Sequence, residues 1–519
     1  MQNDVNYPPS SQYGHRCRIT PTNAVLSDSE AHSIRNQLSE VEIELTYLNE
    51  QITAAAAVLH KLVDQRTQLT TEITEYRISL APHKKLPPEL LGKIFQYCVP
   101  DKTCLPPGLY DSPLLLCQVC RSWREVALGT PTFWNRIAVE FKSSRRVRPI
   151  NLLDMAKIWL SRSGVTIPLS IALDVDHAHD DGGLGMSSVQ ALIRPYIHRC
   201  REITLRLPTI SFRPFLQLSG GSAEILEVLD LQCNDRVDLD RSWSDIIDVF
   251  VSANRLLHSV TFTRTNDMFR GPQLLRLPYS HLTHLRIVDT WINPDTCHAM
   301  LRQCTNLVNC SMVALPCHGF EQVLDELDPT VLPNLQQLRL HPFFTTFDDS
   351  YAPFLRPLVL PALKDFELTS TQSWSETAFK SLCSRSSFDL ERFAILKVHP
   401  RDGLDLQTLL QDMPSLVELD VRSRLDDSTL DMICKGDLIP KLEVINLSNV
   451  SSNAAFDVIQ SRWNLDTNLA TRRNCRGVPI SRLREAVVSR KYNRLAHVNN
   501  SVRARFETFK QEGLLVHYQ

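Results

Sequence analysis

Residues 282–287 read LTHLRI and residues 335–340 read LQQLRL, and both stretches follow the pattern L-x-x-L-x-L. The pattern returns from residue 200 onwards, with first positions 25 to 31 residues apart. Clear copies begin at Leu226, Leu257, Leu282, Leu335, Leu363, Leu416 and Leu442, and weaker copies begin at Cys200, Leu307 and Leu390. Because apolar residues that alternate with polar ones are typical of half-buried strands, the pattern predicts ten strands at a nearly regular interval.

Helical stretches lie between several of these predicted strands. Their apolar residues recur at three-to-four spacing in residues 243–253, 294–304, 320–327, 377–383, 427–434 and 454–463. A strand alone would expose its apolar side, so consecutive strand-helix units must stack and cover one another. The sequence therefore predicts an α/β fold with a parallel sheet on the inner face and helices outside.

The interval resembles that of irregular leucine-rich repeats, which form a right-handed α/β solenoid. The resemblance implies that residues 200–463 form the solenoid. The position that often holds asparagine in such repeats is Asn234 in one repeat but Thr290 or Val450 in others. We therefore expect an uneven curvature and no asparagine ladder.

Alternation along the strands sends their polar residues to the inner face of the sheet. These residues are basic in the middle repeats and acidic further along: His284, Arg286, Gln337, Arg339, His341, Asp365, Glu367, Glu418 and Asp420. One hypothesis is that this face binds a client protein of complementary charge. The alternative is that these are solvated strand positions without a partner.

Heptad spacing characterises the region before the repeats. From Ile34 to Leu80 the apolar residues alternate steps of four and three, and only Arg66 interrupts the series. A sustained period of about 3.5 residues is typical of a coiled coil. Residues 30–82 are therefore predicted to form a long helix that pairs with a second copy of the chain, to give a homodimer. The alternative is a single amphipathic helix that packs on the repeats.

A third pattern occupies residues 86–137, which read LPPELLGKIFQYCVPDKTCLPPGLYDSPLLLCQVCRSWREVALGTPTFWNRI. Three short helices are predicted: one opened by the double proline, one after Ser112, and one after Thr130 that carries Trp134 and Ile137. So small a bundle cannot bury all of its large apolar residues. We therefore expect the side chains around the double proline, and both tryptophans of this segment, to stay partly uncovered.

The segment resembles the F-box, whose pattern begins with LPxEL, continues with I-F and closes with VC-x-x-W-R-x-x-A and F-W. The matching residues are Leu86, Pro87, Glu89, Leu90, Ile94, Phe95, Val119, Cys120, Trp123, Arg124, Ala127, Phe133 and Trp134. With the coiled coil before it and WLSRSG at 159–164 after it, the chain looks like the large family of F-box proteins of mushroom-forming fungi. The connector at 100–113 is longer and richer in proline than in a compact F-box.

This resemblance implies a role and a partner. F-box proteins bind the Skp-family linker of a cullin-RING ubiquitin ligase of the SCF type and hold a client protein for ubiquitination. The positions implied for the linker interface are Leu86, Pro87, Leu90, Ile94, Val119, Cys120 and Trp123. We therefore expect a substrate-recognition adaptor with an unknown client, and the alternative is a structural scaffold that never meets a ligase.

The remaining segments complete the predicted organisation. An F-box-like domain at 83–140 is followed by residues 141–199, which link it to the solenoid and supply the first solenoid elements. Residues 464–519 are basic, and their apolar residues suit helices that cap the last repeat. A nucleic-acid patch is the alternative there, but the arginines are not interleaved with stacking aromatic residues, so we expect no nucleic-acid partner.

Composition limits the class of protein. The chain has 519 residues, 43% of them hydrophobic, and a net charge of -2. It should be a folded, multidomain protein without general attraction to nucleic acid or anionic membranes. No apolar run approaches a membrane span, and the polar residues 1–29 predict a disordered tail rather than a signal peptide. Scattered cysteines fit reduced thiols, so we expect a cytoplasmic or nuclear location.

Several short motifs could carry chemistry, but each has a simpler interpretation. The acidic loop at 174–183 contains two histidines without matching an EF-hand. Cys117 and Cys120 lack a second pair at zinc spacing. The glycines at 182–185 lack the third glycine of a dinucleotide loop. We therefore expect no catalytic, cofactor-binding or metal site, and no enzyme activity.

Overall fold

The structure is a computed structural model that describes most of the chain. The described residues are 25–108, 113–141, 149–175, 191–208, 223–234, 256–265, 277–290, 292, 294–316, 328–343, 351–369, 375–396, 405–422, 425–447, 450–463, 473–488 and 500–518. The chain divides into two compact units, one ending at Pro87 and the other beginning at Pro88. Within the described ranges, no helix combines the length and the apolar character that crossing a bilayer would need.

The first unit is dominated by one long helix, α1 (Asp28–Ser79). Ser27 caps its first turn, because its hydroxyl accepts the Glu30 N–H at 3.4 Å while the Glu30 carboxylate accepts the Ser27 N–H at 2.9 Å. No residue of α1 is buried, so its apolar heptad positions face solvent in the single chain. The predicted long helix is confirmed, and its pairing into a coiled coil stays a prediction.

The second unit alternates helices and strands. Its helices are α2 (Pro88–Gln96), α3 (Leu114–Val119), α4 (Arg121–Leu128), α5 (Pro149–Arg162), α6 (Pro294–Gln303), α7 (Ala352–Leu355), α8 (Glu376–Ser386), α9 (Leu406–Gln411), α10 (Asp427–Lys435), α11 (Ser452–Trp463) and α12 (Asn500–Gln511). Its strands are β1 (Thr103–Leu105), β2 (Arg136–Phe141), β3 (Leu169–Val175), β4 (Cys200–Leu207), β5 (Val228–Cys233), β6 (Ser259–Thr263), β7 (His284–Val288), β8 (Asn309–Pro316), β9 (Thr330–Val331), β10 (Gln337–Phe343), β11 (Leu358–Val359), β12 (Asp365–Thr369), β13 (Arg392–Leu396), β14 (Glu418–Val421), β15 (Val444–Asn446), β16 (Glu485–Val488) and β17 (Leu515–Tyr518).

Fifteen of the described strands form one parallel sheet in chain order, while β9 and β11 pair separately. All ten predicted strands are present, as β4 to β8, β10 and β12 to β15. Parallel neighbours that follow one another along the chain require a crossover after each strand, which the intervening segments provide. The predicted α/β class and parallel sheet are confirmed, and the right-handed leucine-rich-repeat-like solenoid stays a prediction.

The strand register collects apolar side chains into continuous buried rows. One row contains Ile137, Ile171, Ile203, Leu229, Val260, Leu285, Cys310, Leu338, Phe366, Phe393, Leu419, Ile445, Ala486 and Val516, all of them buried. Phe379 of α8 packs on Phe366 and Phe393 with ring centroids 5.1 and 5.5 Å apart, so this helix covers the apolar face. Each large apolar side chain buried in this way contributes roughly 2 kcal/mol.

The segment at 83–140 departs from the predicted three helices. The expected second helix is interrupted at Cys120, which separates α3 from α4. The expected third helix is only a 3-10 turn, Pro131–Phe133, and Ile137 lies in β2. Ile137 belongs to a strand because it supplies the first position of the buried row. The proline-rich connector contributes β1, which pairs with β2.

The sheet also extends past the predicted C-terminal boundary of the repeats. The expected cap at 464–519 was predicted to be helical, but among its described residues only α12 is an α-helix, and β16 and β17 are strands of the sheet. In β16 the residues Ala486 and Val488 are buried and their neighbours are less so, which is the period of a strand rather than a helix.

Asparagine side chains link different repeats: at the expected position Asn234 donates to the Val175 carbonyl of β3, and a second position does the same. The amide of Asn306 donates to the Ser280 carbonyl at 2.8 Å, and that of Asn334 donates to the Thr305 carbonyl at 3.1 Å. Asn306 and Asn334 each stand directly before the first leucine of a repeat, so these hydrogen bonds connect the turns that precede neighbouring strands.

Some predictions fall outside the described residues. They are the helices at 243–253 and 320–327, the acidic loop from 176 with the glycines after it, and most of the tail at 1–29.

Candidate protein-binding surfaces

Helix α2 divides its apolar residues between two faces. Leu91 and Phe95 are buried, whereas Leu90 and Ile94 are 46% and 48% exposed. Residues four apart lie one above the other on a helix, so Leu90 and Ile94 form a continuous apolar stripe on the outer side. This stripe contains two of the residues implied for the linker interface.

The break at Cys120 gives its neighbours their positions. Cys120 has an extended backbone, and its sulfur accepts the Trp123 N–H at 3.5 Å as a weak cap for α4. Arg124 Nε donates to the Cys117 carbonyl at 2.8 Å, which ties α4 back to α3. Val119, just before the break, is 53% exposed, and Cys120 is exposed as well. The Cys120 sulfur therefore has a structural role here as the cap of α4.

The two tryptophans of this segment differ in exposure. Trp123 is half-buried and packs on Phe95 of α2 with ring centroids 4.7 Å apart. Trp134 is fully buried, its indole N–H donates to the Ala127 carbonyl at 2.9 Å, and it packs on Trp159 of α5 at 4.6 Å. The expectation that both would stay partly uncovered is wrong for Trp134, because α5 completes its burial.

The seven residues implied for the linker interface are spread over both units. Leu86 is half-buried and Pro87 is exposed at the end of the first unit. The other five lie in the second unit, on α2, at the break before α4, and on α4. Two further residues were not predicted for the interface: Tyr97, directly after α2, is 93% exposed, and Leu115 of α3 is 38% exposed.

The polar face of the sheet, which we define as the side opposite the buried rows, carries the residues considered for a client. One row across it runs through Asp230, Thr261, Arg286, Ser311, Arg339, Glu367, Ala394 and Asp420. The parallel row two residues earlier runs through Ser259, His284, Asn309, Gln337, Asp365, Arg392 and Glu418. The register thus brings all the predicted face residues except His341 into these two rows.

A charge network occupies the part of this face on β10 to β14. Arg392 Nη1 lies 2.8 Å from Asp365 and 3.0 Å from Glu367, and Arg392 Nε lies 2.8 Å from Glu418. His341 Nε2 lies 2.9 Å from Glu367 on the other side. Asp365 and Glu367 are consequently buried, although the sequence predicted that they would face a partner.

Arg392 was not among the residues predicted for the face. Its repeat is one of the weaker copies, and only the register with β12 and β14 places it between their carboxylates. The hydrogen bond with His341, together with those from Arg392, lowers the pKa of Glu367 to about 2 against the opposing effect of burial. Burial raises the pKa of Asp420, which Arg422 partly offsets at 3.5 Å.

The basic part of the face, on β7, is organised differently. His284 Nε2 lies 2.7 Å from the Asn309 amide and its Nδ1 lies 2.9 Å from the Thr283 hydroxyl. Burial and the neighbouring His258 lower the pKa of His284, so it is neutral at physiological pH. Arg286 is exposed and has no ion pair within 4.0 Å among the described residues. The described residues also contain no group of three or more potential metal-ligating side chains.

Comparison with known proteins identifies one part of the chain. No curated protein matches it significantly. Residues 83–140 match the family model described as F-box-like. Domains of that family generally bind Skp-family linkers in cullin-RING ubiquitin ligases and serve substrate recognition. The exposed stripe of α2, the break at Cys120 and the half-buried Trp123 all fall within this match, and residues 83–140 accordingly constitute an F-box-like domain.

Proposed function

We propose that this chain is the substrate-recognition subunit of an SCF-type cullin-RING ubiquitin ligase. In this proposal the F-box-like domain binds the Skp-family linker, and the polar face of the sheet binds the client protein. The proposed role requires a location in the cytoplasm or nucleus. The resemblance to F-box proteins of mushroom-forming fungi agrees with it.

The observation that carries the proposal is the exposure of apolar residues on α2 and α3. Leu90, Ile94 and Val119 each keep about half of their surface in water, although buried positions lie beside them on the same helices. Water-exposed apolar patches on a small bundle favour a partner that completes their burial. Aromatic and aliphatic anchors of this kind supply most of the affinity in typical interfaces.

The mechanism needs no reacting group on this chain. Holding a client beside a ubiquitin-carrying enzyme raises their effective concentration, which accelerates transfer without local chemistry. We therefore propose a non-catalytic receptor without cofactor or metal. Stacked strand-helix repeats of the leucine-rich-repeat type would give the client a long and continuous binding face.

Helix α1 would pair two such receptors. Its seam residues Leu38, Leu45, Ile52, Leu59 and Leu62 are between 55% and 65% exposed in the single chain. A second copy of the helix would bury all of them at once, as the a and d positions of a coiled coil do. A paired receptor would present two client-binding faces and gain avidity for a multivalent client.

A scaffold without a ligase is the second candidate, and a specific observation favours it. Strand β1 of the connector pairs with β2, and Trp134 is packed between α4 and α5. The F-box-like domain is therefore an integral part of the sheet, as a purely structural first repeat would be.

The test replaces Leu90 and Ile94 together by alanine in the full chain and measures capture of a purified Skp-family linker. Both residues are on the surface, so the fold should persist, unlike after truncation of Trp123, which packs on Phe95. Loss of one central anchor usually costs about 2 kcal/mol, which is roughly thirtyfold in affinity, so we expect the double variant to lose at least that much.

Ile158→Ala provides the matched control, because Ile158 is an isoleucine on α5 with 56% exposure. This variant should bind the linker like the unaltered chain. Equal binding by the double variant, or no linker binding by the unaltered chain, would favour the scaffold.

A further inference from the structure

A polar bay lies in the middle of the polar face, between β6 and β10. Its volume is about 400 Å³. Its lining includes the small hydroxyl side chains of Ser259, Thr261 and Ser311 and the guanidiniums of Arg286 and Arg339. In the register Ser311 lies directly between the two arginines, on the strand that separates theirs. A volume of this size accommodates one or two side chains of a bound segment.

Of the arginines on this face, Arg286 differs in its lack of a nearby carboxylate among the described residues. Arg136 lies 3.2 Å from Glu202, Arg206 lies 3.7 Å from Asp174, and Arg392 binds three carboxylates. Arg339 lies 3.6 Å from Asp365 and 3.8 Å from Glu367, whereas Arg286 has no carboxylate within 4.0 Å among the described residues. A guanidinium over small hydroxyls is well suited to hold an oxyanion through paired hydrogen bonds.

The carboxylates at the rim are already engaged within the sheet. Glu367 accepts from His341 and Arg392, and Asp365 accepts from Arg392. Asp230, on β5, lies outside the lining of the bay; it accepts from Gln232 at 2.9 Å, and its charge also interacts with that of Arg286. His284 adds no charge at neutral pH. Among the side chains that line the bay, two guanidiniums, those of Arg286 and Arg339, accompany one carboxylate, that of Glu367, and Arg286 is the guanidinium left without an ion pair among the described residues.

We propose that this bay binds the carboxylate of an aspartate or glutamate within an acidic segment of the client, held by Arg286 and the Ser311 hydroxyl. A single carboxylate matches the charge of one free guanidinium. A phosphate dianion would bring a second negative charge close to Glu367 and Asp365, which the single free cation does not compensate. The assignment rests on the proposed function only in naming the ligand as part of a client.

The test uses the full chain and a fluorescein-labelled peptide of alternating glutamate and serine, with the glutamine counterpart as a second probe. Fluorescence anisotropy should show binding of the glutamate peptide that weakens as salt is added. Arg286→Gln should weaken this binding about tenfold. Arg206→Gln changes an arginine that is paired and lies outside the bay, and it should leave the affinity unchanged.

Ser311→Asp gives an independent variant, because it places a carboxylate of the chain itself between the two arginines. It should abolish peptide binding while circular dichroism shows an intact fold. Binding of the glutamine peptide as tightly as the glutamate peptide, or unchanged affinity in both bay variants, would overturn the site. Tighter binding of a peptide with phosphoserine in place of glutamate would overturn its assignment to a carboxylate. Linker capture by Arg286→Gln, measured separately, reports on the proposed function alone.

Discussion

Arg392 donates to the Glu367 carboxylate at 3.0 Å across the neighbouring strands β13 and β12. The same guanidinium also holds Asp365 and Glu418, each at 2.8 Å. The sheet can therefore bury two carboxylates on its polar face without leaving either charge unpaired, which would be costly. Ion pairs within the chain therefore stabilise this part of the polar face, whereas Arg286 in the bay has no carboxylate within 4.0 Å among the described residues.

Replacing Arg392 by methionine should destabilise the second unit. The variant leaves Asp365 and Glu367 buried side by side, with Arg339 at 3.6 and 3.8 Å as the guanidinium nearest to them and the His341 ring still 2.9 Å from Glu367. We expect a loss of about 2 to 3 kcal/mol in the free energy of unfolding, measured with urea. Lys364→Met removes an exposed pair with Glu391 and should cost less than about 1 kcal/mol. Equal effects of both changes would contradict the role of Arg392.

Glu367 should make part of the stability depend on pH. Its pKa is about 2 in the folded chain, below the ordinary value of 4.5. Its contribution is therefore complete above about pH 4.5 and is lost as the pH falls toward 2. The stability difference between the unaltered chain and Glu367→Gln should shrink by about half between about pH 6 and pH 3 in urea titrations. The matched control is Glu391→Gln, which changes an exposed glutamate and should alter the free energy of unfolding only slightly at either pH. If the stability difference for Glu367→Gln were the same at both pH values, the lowered pKa of Glu367 would be contradicted.

His298 should affect stability at a milder pH. It is fully buried, its Nδ1 lies 3.2 Å from the Thr330 hydroxyl, and burial lowers its pKa to about 4. The unfolded chain takes up a proton near pH 6.5 that the folded chain refuses, so stability is lost as the pH falls from 6.5 to 4. We expect this loss to be on the order of 2 kcal/mol and to be missing in His298→Phe. The control His281→Phe changes an exposed histidine and should lose as much stability between pH 6.5 and pH 4 as the unaltered chain. If His298→Phe also lost this stability, His298 would not be its cause.

Pairing through α1 predicts a change of mass on mutation. Leu48→Asp together with Leu62→Asp places charges at two seam positions, and each should cost about 2 kcal/mol or more in the dimer. Light scattering should then give the mass of a single chain instead of two. Ile43→Asp alters an exposed residue on the opposite side of the helix and should leave the dimer intact. If the unaltered protein already had the mass of a single chain, the predicted coiled-coil dimer would be contradicted.

Much of the fold follows from local pattern. The alternation in each L-x-x-L-x-L copy specified a strand whose apolar side must be buried, and all ten such strands are present. The heptads specified α1, since no glycine or proline between residues 34 and 80 ends the helix. The F-box motif residues marked the segment that matches the F-box-like family.

The misassigned elements have a common cause. Ile137 and Val488 follow helical spacing from their neighbours in the sequence, but each lies in a strand. The adjacent strand provides backbone hydrogen bonds and buried side chains to pack against. A short apolar run does not distinguish the two structures, and the sheet decides between them.

The sequence by itself determined which residues are apolar on which side of each strand, because that information is periodic and local. Only the tertiary structure decided which polar residues are engaged with one another and which are open to a partner. Asp365 and Glu367 lie far along the chain from Arg392 and meet it through the register of β12 and β13, whereas Arg286 has no carboxylate within 4.0 Å among the described residues. Charge pairing across strands depends on distances of a few ångströms, and those distances exist only once the strands are aligned.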